Sequence, residues 1–242
     1  MSHPQSPREV AAFVTKSLKA QADPDKAVPM ARYMKTEMPF YGVQKSGREK
    51  IARAIKWHYR PGTFEEYLEL VNLLWSKEHR EEKYLAIQLA RTYRLFITSD
   101  SLELYERLIR EGAWWDFVDE IAIKLIGPVL RNEAEVMQPV LDEWIEDDDV
   151  WIRRAALLSQ VLHRDKTDKE RLFRYCEARL SDKEKFIQKA IGWALRDYSR
   201  ANPEAVRSFL TTHRERMSEL AFREAARVLN KKGYDLKKNP DQ

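Results

Sequence analysis

Apolar residues recur along this chain at the three- and four-residue intervals of amphipathic helices, clearly so in Tyr67–Trp75, Tyr84–Phe96 and Phe186–Tyr198. No sustained alternation of the kind expected for a half-buried strand occurs. The polar breaks between the apolar segments are too short to mark a domain boundary. The pattern therefore predicts an all-α protein of about twelve helices in antiparallel pairs, forming a single domain over residues 1–242.

Several helix starts are indicated by capping residues. The capping-box pattern, a Ser or Thr followed three residues later by Glu, occurs at Ser46/Glu49, Thr63/Glu66, Thr167/Glu170 and Ser181/Glu184. A capping side chain precedes proline at Asp23-Pro24 and Asn202-Pro203. The acidic run 146–149 is expected to begin a helix, where acids favour the helix dipole, rather than to bind a metal ion.

A repeat becomes visible when the later helices are compared. Ala155, Ala190 and Ala225 recur at a step of 35 residues, each near the start of a helix that follows a shorter one. A period of this size built from helix pairs is typical of an α-solenoid, in which each pair buries its apolar side against its neighbours. We expect HEAT-like repeats over roughly residues 8–235, with a concave groove lined by the second helix of each pair.

The same step brings several functional side chains to equivalent positions. Asp119, Arg154 and Lys189 are 35 residues apart, Trp115 lies four residues before Asp119, and Trp193 lies four residues after Lys189. Because residues four apart share a helix face, these five are expected to line one side of three neighbouring helices. The cations suit phosphates and the indoles suit sugars or bases. A carboxylate would repel DNA, and glycosidic cleavage gives a reason for its presence, since carboxylates stabilise oxocarbenium-like states.

Composition limits the function classes further. The 43 Lys and Arg residues exceed the 39 Asp and Glu by a formal charge of +4, which fits a nucleic-acid binder without requiring one. The 7 glycines favour helices over tight hairpins. The single cysteine excludes an internal disulfide, the histidines lack ligand spacing, and neither a signal core nor an 18-residue apolar run occurs. We expect no metal, no membrane contact, and a location in the bacterial cytoplasm near the nucleoid.

Four stretches of the sequence resemble signature segments of the AlkD-type DNA glycosylases, in order and in separation. They are Met30–Met34, Trp114–Asp119, Val150–Ala156 and Phe186–Trp193. The resemblance implies a monofunctional enzyme without cofactor, working as a monomer. It would hydrolyse the bond between deoxyribose and a cationic N3- or N7-alkylated purine in duplex DNA held in the concave groove.

The resemblance also implies residue roles. Asp119 would be the catalytic carboxylate, Trp115 and Trp193 would flank the deoxyribose of the lesion, Arg154 would bind the DNA backbone, and Tyr33 would lie near the DNA. Lys189 and Arg153 are further candidates for phosphate contacts.

Other interpretations of these residues stay open. Asp119 could be a surface aspartate paired with a cation, Trp193 a core residue, and Lys189 a Schiff-base nucleophile. The remaining tryptophans are expected to be structural, and they are Trp57, Trp75, Trp114, Trp144 and Trp151. The alternatives for the whole chain are a non-catalytic HEAT-like protein that binds damaged or branched DNA, and a protein–protein scaffold.

Overall fold

The computed structural model describes residues 4–234 and 236, so the predicted upper bound of the repeats, residue 235, lies outside the described residues. No β-strand occurs in the described part, which confirms the all-α fold class. The α-helices are α1 Pro7–Ala20, α2 Pro24–Met34, α3 Lys45–His58, α4 Phe64–Trp75, α5 Arg80–Thr92, α6 Leu102–Gly112, α7 Trp115–Ile121, α8 Gly127–Asn132, α9 Ala134–Trp144, α10 Val150–Leu158, α11 Lys169–Ala178, α12 Lys185–Tyr198, α13 Pro203–Thr212 and α14 Glu219–Lys231.

Three short 3₁₀ turns and one π-helical turn complete the described structure. The 3₁₀ turns are Arg94–Phe96, Ser99–Ser101 and Arg164–Lys166. The π turn, Ala122–Ile126, joins α7 to α8 without a break. None of the helices in the described residues is long and apolar enough to cross a membrane.

Three of the six predicted helix starts are confirmed and three are wrong. Thr63, Asp23 and Asn202 each accept a hydrogen bond from the backbone N–H three residues ahead. The prediction at Ser46 is wrong because α3 already begins at Lys45 after an extended Gln44.

The predictions at Thr167 and Ser181 are also wrong. The N-cap of α11 is Asp168 and not its neighbour Thr167. The Asp168 side chain accepts a hydrogen bond from the Arg171 N–H at 3.0 Å, and aspartate caps helices better than threonine. Beyond Ser181, helix α12 starts only after Glu184. The acidic run does begin a helix, because Asp149 caps α10 by accepting from the Trp151 N–H at 2.8 Å.

The chain divides between Asp100 and Ser101 into two compact units. The expectation of one domain over residues 1–242 therefore stays a prediction. In the first unit, α1 packs against α3, α4 and α5, and α4 packs against α5. Its core includes the fully buried side chains Val14, Leu18, Leu70 and Leu74. These lie at helical spacing within α1 and α4, as amphipathic helices require.

One predicted core residue of the first unit is on the surface instead. Trp57 is 81% exposed, so the prediction that it is structural is wrong. Helix α3 buries Ile51, Ala52 and Ile55, and a residue two positions after Ile55 projects from the opposite side of a helix. The predictions for Trp75, Trp144 and Trp151 are confirmed, because each is buried.

In the second unit, each later helix packs on an earlier one. Helix α10 packs against α7 and α12, and α12 packs against α14. The repeating alanines Ala155, Ala190 and Ala225 are fully buried on α10, α12 and α14. At Gly192 the approach of α14 is so close that an added Cβ would lie 2.5 Å from Glu224 Cβ. Small residues thus let successive helices of this unit stack tightly.

Candidate functional site

Helix α7 and the π turn after it position Asp119. The carboxylate belongs to the second turn of α7, three residues before the π turn begins at Ala122. The far end of that turn is fixed where His163 Nε2 donates to the Gly127 carbonyl at 3.0 Å. Gly127 has no room for a side chain, because a Cβ would lie 2.7 Å from the Ser159 carbonyl oxygen. π turns inside α-helices occur frequently at functional sites, and this one anchors the helix that carries Asp119.

Asp119 and Arg154 form a two-pronged ion pair. Arg154 Nε donates to Asp119 Oδ1 at 2.7 Å, and Arg154 Nη2 donates to Asp119 Oδ2 at 2.9 Å. The third nitrogen of the guanidinium, Nη1, donates to the Phe186 carbonyl at 2.5 Å. The Arg154 side chain is 5% exposed, whereas that of Asp119 keeps 13% exposure. The arginine is therefore enclosed, and the carboxylate reaches the surface with lone pairs that Arg154 does not use.

The carboxyl of Asp119 takes up a proton more readily than an ordinary aspartic acid. Burial raises the pKa of Asp119, and the nearby negative charges of Asp116 and Glu120 raise it further. The hydrogen bonds and positive charge of Arg154 act in the opposite direction. A carboxyl with a raised pKa next to the surface is a group whose ionisation can control a reaction.

An aromatic cluster lies beside this pair. Trp114, Trp151 and Phe186 contact one another with ring centroids 4.8 to 5.7 Å apart. Arg154 lies near the same cluster, with its guanidinium carbon 6.0 Å from the centre of the Phe186 ring. Trp114 thus packs, as predicted from the sequence. The cluster holds the first turn of α12 in place, and the Phe186 carbonyl in that turn accepts the hydrogen bond from Arg154.

The other candidates of the second unit differ in exposure. Trp115 and Trp193 are half-buried, and Lys189 is exposed, with no ion-pair partner among the described residues. Trp115 is the first residue of α7, one turn before Asp119. Trp193 and Lys189 lie one turn apart on α12. Each of these three side chains reaches the surface, so each is accessible to a ligand.

Arg153, the neighbour of Arg154, is engaged with the loop before α10. Its Nη1 donates to the carbonyls of Asp147 and Asp148 at 2.7 and 2.9 Å. Its Nε lies 3.3 Å from Asp182 Oδ2. These contacts stabilise the start of α10, and its assignment to phosphate binding stays a prediction.

Tyr33 belongs to the first unit, on the last turn of α2. It is 72% exposed and lines a surface pocket of about 460 Å³ together with Met30, Phe40, Arg48 and Tyr84. The Arg48 guanidinium carbon lies 4.5 Å from the centre of the Tyr84 ring in the wall of this pocket. Tyr33 is thus accessible, and its contact with DNA stays a prediction.

Sequence reasoning missed two parts of this arrangement. The Phe186 carbonyl carries no sequence signal, because every residue supplies a carbonyl. The π turn had an indirect signal in Gly127-Pro128, where the missing N–H and proline ring disturb helical hydrogen bonding. Among the described residues, no three His, Cys, Asp or Glu side chains are placed to hold a metal ion.

Comparison with known proteins shows the family to which the chain belongs. The family model of the DNA alkylation repair enzymes matches residues 14–229. A solved structure named a predicted DNA alkylation repair enzyme from Enterococcus faecalis superimposes with a TM-score of 0.79 and 28% sequence identity. The match covers 87% of this chain and 97% of that one. No curated protein matches. The match over most of the chain confirms the resemblance noted from the sequence, and this chain belongs to the DNA alkylation repair enzyme family.

Proposed function

We propose that this protein is a DNA glycosylase that hydrolyses the bond between deoxyribose and a cationic N3- or N7-alkylated purine in duplex DNA, the first step of base excision repair. One observation carries the proposal, namely that Asp119 is held by Arg154 at two oxygens yet remains open to the surface. Membership of an alkylation repair family and two accessible indoles, Trp115 on α7 and Trp193 on α12, support it.

The chemistry needs few groups. When the C1′–N bond breaks, its electron pair leaves with the purine and neutralises the positive charge of the alkylated base. The sugar becomes oxocarbenium-like, and a nearby carboxylate stabilises that charge. A water molecule then adds to C1′ and gives up a proton, which the Asp119 carboxylate can accept. Because the leaving base is already cationic, no strong general acid is required.

Each remaining residue has a proposed role. The faces of Trp115 and Trp193 flank the deoxyribose and favour its developing positive charge, as indole rings do for cations. Arg154 orients the carboxylate of Asp119. The two N–H groups of Arg154 that make no hydrogen bond could donate to a phosphate only if the site opens. Lys189, which has no competing ion pair among the described residues, binds a phosphate more readily, and Arg153 and Tyr33 add contacts. The enzyme so proposed acts as a monomer on the DNA of the nucleoid and needs no cofactor.

The product of the reaction tests this proposal. The protein is incubated with methylated duplex DNA, and 7-methylguanine and 3-methyladenine released into solution are measured against DNA incubated alone. A monofunctional glycosylase releases the free bases and leaves abasic strands that break only on later treatment with hot alkali. Strand cleavage without alkali would instead indicate lyase chemistry, for which Lys189 is the candidate nucleophile. Binding of the DNA without release of either base would favour a non-catalytic DNA-binding protein.

A further inference from the structure

The first unit carries a cationic surface pocket that the proposed chemistry does not use. It lies beside the ends of α3 and α5 and has a volume of about 730 Å³. Its lining residues are Lys56, Arg60, Pro61, Arg91, Thr92, Tyr93, Arg94, Leu95 and Phe96. Four of these are cations and none is acidic, so the pocket concentrates positive charge.

Three of the four cations of this pocket are not neutralised by the protein. Lys56, Arg60 and Arg94 are exposed and form no ion pair among the described residues. Other exposed arginines of the described residues do have acidic partners, as in Arg107–Glu111 at 3.1 Å and Arg110–Asp147 at 2.7 Å. Three unpaired cations around one pocket repel one another, and an anionic ligand would relieve that repulsion.

One large apolar side chain of the pocket lies uncovered, and a second follows a lining residue directly in the chain. Leu95 lines the pocket and is 81% exposed. Trp57, also 81% exposed, directly follows Lys56 near the end of α3. Exposed cations on the same helix end as an exposed indole suit a nucleic-acid strand, because the cations bind phosphates while the ring stacks on bases or packs against sugars. An acidic protein segment would use the charges but has no general need for the indole.

We propose that this pocket, the Lys56–Arg94 pocket, binds the phosphodiester backbone of DNA. Arg60 and Arg94 contact phosphates, and Trp57 and Leu95 pack against the sugars or bases of the same strand. The site belongs to a different unit of the protein from Asp119, and it needs no damaged base. The inference rests on DNA as the partner of the proposed function, but not on glycosylase chemistry.

Binding of an undamaged, fluorescein-labelled DNA duplex over a series of salt concentrations tests this inference by fluorescence anisotropy. Log K falls as log salt rises, and each phosphate contact that is lost makes this slope shallower by about 0.9. Arg60→Gln/Arg94→Gln should therefore make the slope shallower by about 1.8 and weaken binding roughly 50-fold at 0.1 M salt. Arg60→Lys/Arg94→Lys keeps both charges and should keep most of the slope.

A matched control removes two charges from another part of the same unit. Lys16 and Lys19 are exposed on α1, and Lys16→Gln/Lys19→Gln should leave the slope close to that of the wild type. Trp57→Ala should weaken binding roughly 5- to 150-fold and leave the salt slope unchanged, because stacking releases no counterions. Equal slopes for the two Gln double variants would overturn the inference and leave the pocket for an acidic protein partner.

The test separates this inference from the proposed function. At saturating enzyme, Arg60→Gln/Arg94→Gln should release methylated bases at the wild-type rate, because it leaves the Asp119 site intact. If the wild type releases no base, the glycosylase proposal fails, while the salt slopes still decide whether the pocket binds DNA.

Discussion

Arg154 on α10 binds both carboxylate oxygens of Asp119 on α7, from a position 35 residues further along the chain. That separation equals the step at which the buried alanines of the later helices recur. The two residues therefore face each other because consecutive helices of the second unit are stacked in register. Their pairing links the repeat architecture directly to the site proposed for catalysis.

Removing the cation of this pair should destabilise the fold strongly. Arg154→Gln leaves the largely buried carboxylate of Asp119 uncompensated, and the expected cost is about 3 kcal/mol in the free energy of unfolding measured in urea. Arg107→Gln, which breaks an exposed ion pair, should cost less than about 1 kcal/mol. Asp119→Asn/Arg154→Gln should cost less than the sum of its single substitutions. Additive costs would contradict a coupled pair.

The acid limb of the pH–rate profile should reflect the ionisation of the Asp119 carboxyl. The proposed reaction requires the ionised carboxylate. The rate of base release should therefore fall as the pH drops through the pKa of Asp119, which lies above the ordinary value of 3.8. Burial is the main cause of that raised pKa, and the charge of Asp116 adds to it. Asp116→Asn should therefore move the acid limb to lower pH in single-turnover assays. A shift to higher pH would show that another group titrates.

Stability in mild acid should depend on His163. Burial above all, and then the charge of Arg131, lower the pKa of His163 to about 4, against 6.5 for an ordinary histidine. As the pH falls from 6.5 toward 4, the unfolded chain takes up a proton that the folded protein does not. The folded state then loses about 3 kcal/mol of stability over that range.

His163→Gln provides the matching control, since its amide can still donate to the Gly127 carbonyl. Urea denaturation at pH 7 and pH 4.5 should show a smaller loss of stability in the variant than in the wild type. An equal loss in both proteins would assign the acid sensitivity to other groups.

The packing of α12 on α14 should not tolerate a methyl group at position 192. An alanine Cβ there would lie 2.5 Å from Glu224 Cβ and 2.9 Å from the Ala221 carbonyl. Gly192→Ala should lower stability by about 1–3 kcal/mol despite the better helix propensity of alanine. Gly62→Ala meets no atom closer than 3.6 Å and should be nearly neutral. The melting temperatures of both variants, measured against the wild type, test this prediction. A higher melting temperature for Gly192→Ala would show that α12 and α14 can move apart at little cost.

The sequence predicted well whatever depends on periodicity. Helical spacing predicted the all-α class, and the 35-residue step related Asp119 to Arg154 before any contact was known. Periodicity would also have corrected one error, because Trp57 lies on the opposite side of α3 from Ile51 and Ile55. That tryptophan was expected in the core on residue type alone, and position on the helix outweighs residue type.

What the sequence did not predict depends on three-dimensional neighbours. A single arginine can bind a phosphate or a carboxylate, and only the enclosure of Arg154 between Asp119 and Phe186 decides its contacts in the free protein. The cationic pocket likewise combines residues of α3 with residues after α5, more than 30 positions away in the chain. No local pattern indicates which lysines and arginines stay unpaired.

Single-turnover release of 7-methylguanine from a methylated duplex, by wild type, Asp119→Asn and Asp116→Asn, tests the central claim most directly. DNA affinity and melting temperature are measured on the same preparations, because Asp119→Asn leaves Arg154 without its counter-charge. We predict that Asp119→Asn loses at least about 100-fold in rate while binding DNA at least as tightly as the wild type, and that Asp116→Asn stays active at neutral pH. Release at the wild-type rate by folded, DNA-binding Asp119→Asn would contradict the role proposed for this carboxylate.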